Sequence, residues 1–208
     1  VPTLLHEKRH GFLDGKIICG VDEVGRAPLA GPVMAAAVIL PTEMPRAVHK
    51  QIRDSKQMSA DQREAVFGPL TELCRYCVAE ATVEEIARLN IFWASMLAMK
   101  RAIERLDVPV DMALIDGNQV PRPLSCKAVA IVAGDDKCLS IAAASIIAKV
   151  TRDRFMKKLA EEHPGYGWER NVGYPTREHR DALRRLGPTA WHRSGFASVT
   201  QLEFDMAS

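Results

Sequence analysis

Four acidic residues stand where acids are least expected. Asp22 and Glu23 follow the apolar run Ile17-Ile-Cys-Gly-Val21, Asp116 follows Ala113-Leu-Ile115, and Asp135 follows Ala130-Ile-Val-Ala133-Gly134. Each run reads as an interior β-strand, which places each acid at, or inside, the end of a strand. An ionised carboxylate buried without a partner costs several kcal/mol, so a sheet rarely keeps one. A turn or a strand end accounts for a single such acid. It does not account for three strand-end positions plus an adjacent Asp-Glu pair. If these strands are neighbours, the acids converge and their repulsion calls for cations. Hard oxygen ligands select Mg²⁺ or Mn²⁺ rather than zinc. Two such ions roughly 3.5–4 Å apart activate a water and stabilise the leaving oxygen of a phosphodiester.

The elements that must position these acids are legible along the chain. Strands are expected at residues 16–21, running into the acidic pair, and at 33–40, ending at Pro41. Residues 41–55 read as a loop. A helix starts after Ser59, because Gln62 three positions on completes a capping box. Residues 76–82 read as a strand and 84–89 as a short helical stretch. From residue 91 to 106 the apolar positions Phe92, Met96, Met99, Ile103 and Leu106 trace one helix face. Strands are expected again at 111–115 and 128–133, on either side of Pro121-Arg-Pro123. A long Ala/Ile-rich helix covers 139–161, and a last helix runs from about Thr176 to a Gly187-Pro188 stop. This order predicts an α/β fold with a mixed sheet flanked by helices. The expected division is a catalytic domain over residues 1–160 and a small helical extension over 161–208, packed against it.

Composition removes whole classes of function. The chain has 208 residues with 47% hydrophobic and 26% charged, which suits a globular domain rather than a disordered one. No apolar run approaches the roughly 18 residues of a membrane span, and no signal peptide is visible. Five cysteines argue against a disulfide framework and for a reducing compartment, so a cytoplasmic location is expected. Net charge is only +2, yet residues 137–193 hold twelve Lys and Arg against six Asp and Glu. A basic third beside a carboxylate site suits a polyanionic ligand.

Gly20-Val-Asp-Glu-Val-Gly-Arg-Ala-Pro-Leu-Ala-Gly-Pro-Val33 closely resembles the opening motif of bacterial type 2 ribonuclease H. The resemblance continues through Asp54-Ser-Lys56, Leu89-Asn-Ile91, Leu114-Ile-Asp-Gly-Asn118 and Gly134-Asp135. It extends through the stretch from Leu139 to Asp153 and through Gly173-Tyr-Pro-Thr176, so residues 16–197 are covered in order. The resemblance implies a ribonuclease H-like fold. It also implies endonucleolytic cleavage of RNA paired with DNA, and of ribonucleotides embedded in duplex DNA on their 5′ side, leaving a 5′-phosphate and a 3′-hydroxyl. The family's four catalytic, metal-holding acids fall on Asp22, Glu23, Asp116 and Asp135, the set the burial argument selects. Asp136 is set aside, because the motif's ligand directly follows Gly134 and because alternation along a continuing strand would turn it away.

Telling RNA from DNA requires contact with a 2′-hydroxyl. The resemblance assigns that task to backbone groups of Gly25, Arg26 and Ala27, with Tyr174 stacking on the sugar. Ala27 replaces the family's usual second glycine. It precedes Pro28, which biases it to extended backbone with negative φ, a region alanine enters freely. Lys56 is a candidate phosphate contact, as are Ser145, Lys149 and Arg152, whose spacing of four and three places them on one helix face. Spacing alone leaves that stripe facing a ligand or solvent, and the resemblance points to the ligand. The tail segment from His192 to Phe196 is looser than the basic run of relatives. His179 and His192 read as surface or sugar-phosphate contacts rather than bases. Cys74-Arg-Tyr-Cys77 lacks the second pair of a metal knuckle and reads as structural.

The expected substrates are RNA/DNA hybrids and ribonucleotide-containing duplex DNA, with Mg²⁺ or Mn²⁺ as cofactor, no membrane contact and a monomeric state. A DNA nuclease of the same fold, or a nucleic-acid-binding module without catalysis, are the competing readings. The 2′-hydroxyl reader argues against the first, and retention of all four acids argues against the second.

Overall fold

A computed structural model describes residues 1–196 and residue 199. Five strands form one sheet: β1 (Ile18–Val24), β2 (Val33–Ile39), β3 (Arg75–Ala81), β4 (Met112–Asp116) and β5 (Lys127–Ile131). The helices are α1 (Leu5–Arg9), α2 (Arg46–Gln51), α3 (Ala60–Leu73), α4 (Val83–Glu104), α5 (Gly134–Lys137), α6 (Leu139–Glu162), α7 (Trp168–Asn171) and α8 (Arg177–Leu186). The strand order is β3-β2-β1-β4-β5. β2 pairs antiparallel with both β1 and β3, while β4 runs parallel to β1 and to β5, so the expected mixed sheet is present.

Alternation along the strands builds two cores. Cys19, Val21, Ala35 and Ala37 face α4, whose Ala94, Ala98, Met99 and Ala102 cover them. Ala36 and Val38 face the other way, against α6 and α3. The first half of α6, Leu139 to Ala148, is apolar or small all round and fully buried, while its second half carries charge on its outer side. It lies so close to β1 that a Cβ on Gly20 would collide with the backbone of Ser140 and Ile141. A third apolar cluster joins Leu29 and Ala30 to Met156 and Leu159 of α6 and to Tyr166, Trp168, Ala182 and Leu183 of the tail. The far end of the expected extension, residues 197–198 and 200–208, lies outside the described residues.

Local signals account for most boundaries. Ser59 and Gln62 form the expected capping box at the start of α3. Thr82 and Glu85 form another at the start of α4, which the sequence reading passed over. Asn90 interrupts α4 with φ 67° and ψ 167°. Its Oδ1 accepts from the N–H groups of Phe92 (3.0 Å) and Trp93 (3.2 Å), capping the second half. The separately expected helical pieces before and after residue 90 are these two halves.

Three expectations change. Residues 41–55 are not all loop, since they contain α2, a short helix with no buried residue and hence no apolar face to betray it. A helix, α1, precedes the first strand. Asp135 does not extend a strand either: β5 ends at Ile131, and Ala133, at φ 53°, turns the chain into α5. Asp136 is turned out to solvent by that helical turn, not by strand alternation.

Candidate active site

The parallel register brings the acids together. Val21 of β1 pairs with Ile115 of β4, so Asp22 and Asp116 are the next residues of adjacent strands. Asp135 arrives from the turn after β5, the next parallel strand. Carboxylate oxygens of Asp22, Asp116 and Asp135 all lie within 4.8 Å of one another. Asp22 and Asp135 are each 4% exposed. Glu23 stands beside this trio rather than in it, with Arg26 Nη1 3.4 Å from its Oε1.

Each acid is held by its neighbours. Asp22 Oδ1 accepts from the Glu23 N–H at 2.7 Å. Asp116 Oδ1 accepts from the Gly134 N–H at 2.7 Å, tying β4 to the turn that carries Asp135. Lys56 Nζ donates to Asp135 Oδ2 at 2.9 Å. The Lys56 N–H donates to Asp54 Oδ1 at 2.8 Å, which places the lysine at the rim.

The electrostatics are those of an under-compensated anionic site. Burial, then repulsion from Glu23, Asp116 and Asp135, pushes the Asp22 carboxyl well above its ordinary range. Burial also raises Asp116, with Asp135 adding to the shift and the Gly134 N–H opposing it. Glu23 is raised by burial against the pull of Arg26. Partial burial disfavours the charge on Lys56, but its hydrogen bond to Asp135 outweighs this and the lysine pKa rises. Three converging carboxylates with one lysine bonded to Asp135 form a hard-oxygen donor set suited to a divalent cation.

The other candidates divide. Gly25 is buried at φ 92°, while Arg26 and Ala27 are exposed; Ala27 is absent from the positive-φ residues, in keeping with the bias that Pro28 imposes. Tyr174 is half-buried, and Lys149 Nζ sits 5.5 Å from its ring centroid. Lys149 also pairs with Asp153 at 2.8 Å. Ser145 is buried, with its Oγ 2.6 Å from that of Ser55.

Arg152 corrects the reading of its helix face. It is 0% exposed, and its guanidinium donates only to backbone carbonyls, so it makes no phosphate contact from this position. The stripe Ser145–Lys149–Arg152 does share a face, but spacing does not say that the face is covered. His179 and His192 are buried as well, not surface groups. Trp168 Nε1 donates to His179 Nε2 at 3.0 Å, and the two histidine Nε2 atoms lie 3.1 Å apart. The sequence reading did not single out Arg193, which is 0% exposed and bonded to the carbonyls of Gly25, Arg26 and Gly31. No local pattern marks it, because those partners are remote in sequence.

A family model described as "Ribonuclease HII" matches residues 19–203. The chain belongs to the ribonuclease HII family. The ribonuclease HII of Ruegeria pomeroyi is 54% identical over 185 residues, covering 89% of this chain and 78% of that one. Among solved structures, ribonuclease H2 of Pyrococcus horikoshii OT3 matches with a TM-score of 0.76 and 25% identity, covering 92% of this chain and 99% of that one. Bst-RNase HIII in complex with Mn²⁺ matches with a TM-score of 0.72 at 17% identity, covering 91% and 70%, and shares the fold. This ribonuclease HII family member is therefore a hydrolase, a ribonuclease H-type endonuclease acting on nucleic acid, built on a ribonuclease H-like fold. Among its described residues no helix is long and apolar enough to cross a membrane.

Proposed function

We propose that this endonuclease cleaves the RNA strand of RNA/DNA hybrids and the 5′ side of ribonucleotides embedded in duplex DNA, leaving a 5′-phosphate and a 3′-hydroxyl. Asp22, Asp116 and Asp135, with Glu23 beside them, would hold divalent ions, Mg²⁺ or Mn²⁺. The observation that carries this reading is the convergence of three acids within 4.8 Å at the ends of parallel strands. Ions bound there supply the positive charge that activates water and stabilises the leaving oxygen. The acids themselves take no proton from the substrate, and their task is to fix the ions. The Mn²⁺ complex of Bst-RNase HIII is consistent with such a donor set.

Around that centre the chain's own groups sort the substrate. Gly25, Arg26 and Ala27 offer backbone groups to the ribose, and Tyr174 offers a ring face to the sugar. Leu29 N–H donates to Gly173 O at 2.8 Å, which ties the loop to the residue before the tyrosine. Lys56 stands beside Asp135 and Lys149 beside Tyr174, and the two lysines would supply charge for phosphates without base preference. All four acids come from one chain, so the proposed site is complete without a second copy. The test is a DNA duplex carrying one ribonucleotide, incubated with and without Mg²⁺ beside an all-DNA duplex. Metal-dependent cutting at the ribonucleotide alone is expected. Equal cutting of all-DNA duplex would replace this reading with a DNA nuclease.

A further inference from the structure

We propose that Arg152 and Arg193 are positioning residues for ribose selection, a pair of buried guanidinium groups that aim the backbone of loop 25–32 at the sugar. The inference rests on the ribonucleotide reading above and assigns its selectivity to residues that touch no substrate.

The geometry is specific. Arg152 donates from Nε to Pro32 O (3.0 Å), from Nη2 to Ala30 O (2.9 Å) and from Nη1 to Val172 O (2.9 Å). Arg193 donates from Nε to Gly31 O (2.8 Å), from Nη1 to Arg26 O (3.1 Å) and from Nη2 to Gly25 O (2.6 Å). Five of the six acceptors belong to the loop that follows the Asp22-Glu23 pair. The sixth, Val172, immediately precedes Gly173 and Tyr174. The two guanidiniums thus join both parts of the ribose reader.

Neither arginine has a carboxylate partner among the described ion pairs, and both are 0% exposed. Their hydrogen-bond acceptors are all backbone carbonyls, Arg193 adding a contact over the Phe196 ring at 5.4 Å; burying a cation on such partners is a costly way to stabilise a loop. Burial lowers the Arg152 pKa to about 10 and the Arg193 pKa to about 9, so both remain charged at neutral pH. What a guanidinium adds, and an ammonium lacks, is a rigid planar fork that fixes several acceptors at once. Gly25 is shaped to this fork: it adopts φ 92°, and a Cβ there would collide with Arg152 Nε.

The consequence follows from the peptide plane. In a trans peptide the N–H points opposite to the C=O. Arg193 draws the carbonyls of Gly25 and Arg26 inward, which directs the N–H groups of Arg26 and Ala27 outward. Among the described residues neither N–H donates to a protein acceptor. Both are aimed away from the core, beside the acids, as donors for a sugar hydroxyl.

Two measurements test this. The first compares Arg193→Lys and Arg152→Lys with the unmodified protein in kcat/KM on the single-ribonucleotide duplex, affinity for all-DNA duplex, Mn²⁺ affinity and melting temperature. Misaiming an oriented donor should lower kcat/KM by about a hundredfold. Affinity for all-DNA duplex and for Mn²⁺ should stay within about threefold. Equal losses on ribonucleotide and all-DNA duplexes, or no loss of kcat/KM in a folded variant, would overturn the proposal. The second needs no variant: amide hydrogen exchange at Arg26 and Ala27 should be fast in the free protein. It should slow when metal-free protein binds the ribonucleotide duplex, but not when it binds all-DNA duplex. Slow exchange in the free protein, or equal protection by both duplexes, would also overturn it. Failure of the unmodified protein to prefer the ribonucleotide would instead remove the underlying reading.

Discussion

Replacing Asp22 by Asn should make the metal-free protein more stable while abolishing cleavage. Two full carboxylate charges no more than 4.8 Å apart repel by roughly 3.5 kcal/mol at an effective dielectric constant of about 20. Asp22 faces two such partners, Asp116 and Asp135, and Lys56 returns part of the repulsion. Proton uptake sets a ceiling. Protonating an aspartate of ordinary pKa 3.8 at pH 8 takes about 5.7 kcal/mol at 1.36 kcal/mol per unit, and the raised pKa of Asp22 lowers that figure. The expected gain is therefore about 2–3 kcal/mol, or about 5–10 °C in Tm for a chain of this size. Asn keeps an oxygen for the Glu23 N–H that Asp22 now accepts, so no buried donor is orphaned.

The pH dependence carries the sign of this argument. A carboxyl whose folded pKa is raised holds its proton in the folded state after the unfolded chain has lost it. Its contribution is therefore fully present below the unfolded value of 3.8 and is lost as pH rises through the folded value. The Tm gap between Asp22→Asn and the unmodified protein, measured by calorimetry in excess EDTA, should be widest near pH 8 and close towards pH 4. Saturating Mg²⁺ should reverse the order, because the ion stabilises only the chain that binds it tightly. A lower Tm for the variant in EDTA at pH 8 would refute the picture of mutually repelling acids. More than about a tenth of the original rate at saturating metal would refute the assignment of Asp22.

Other outcomes follow from the same geometry. Tyr174→Ala should weaken binding to a ribonucleotide-containing duplex more than to all-DNA duplex, and an equal loss in both titrations would make the ring a packing residue. Ala27→Gly should change kcat/KM on the single-ribonucleotide duplex by no more than about tenfold, since the exchange removes one methyl and keeps the amide; a hundredfold rise would mark the alanine as damaging. Lys56→Met should lower the metal-free Tm yet tighten Mg²⁺ binding in calorimetry, because Nζ no longer competes for Asp135 Oδ2; weaker binding would show the lysine to be a supporting group. His192, held down to about 3 by burial and by His179, stabilises the fold above its unfolded value of 6.5, and that contribution is lost as pH falls towards 3. His192→Gln should flatten the acid limb of a stability–pH profile, and an unchanged limb would place the acid-labile group elsewhere.

What could be read in advance was what is written locally. Strand periodicity, the Ser59–Gln62 box and the restart of the apolar stepping after Asn90 are short-range patterns, and the elements they mark are present. The three converging acids were legible because burial punishes acids in apolar strands wherever those strands go. Arg152, Arg193 and His179 were not, for the opposite reason. Their partners lie far along the chain, as with Arg152 and Ala30 or Arg193 and Gly25, so nothing beside them announces that they are inside. Glu7 is the same case: alone in a polar stretch it resembles a solvated acid, yet it is 1% exposed and accepts from Ser140 N–H and Oγ at the start of α6. Spacing identified the shared face of Ser145, Lys149 and Arg152, but which side of a helix is covered is a property of the whole fold.

The close seating of α6 on β1 bears on how this enzyme is able to change. No side chain fits at position 20, where the α6 backbone at Ser140 and Ile141 lies directly against β1. A substitution that swells either surface lifts the whole helix, and Lys149, Arg152 and the segment leading to Tyr174 are displaced with it. Inherited variation in this layer is thus confined to exchanges that keep its thickness. If the proposed ribose reader holds, new sugar preferences arise most readily in loop 25–32 and around Tyr174, where a changed residue moves only its neighbours. A mutational scan scored for folding should find position 20 closed to every residue but glycine, and the same scan scored for ribose preference should find its gains in the loop.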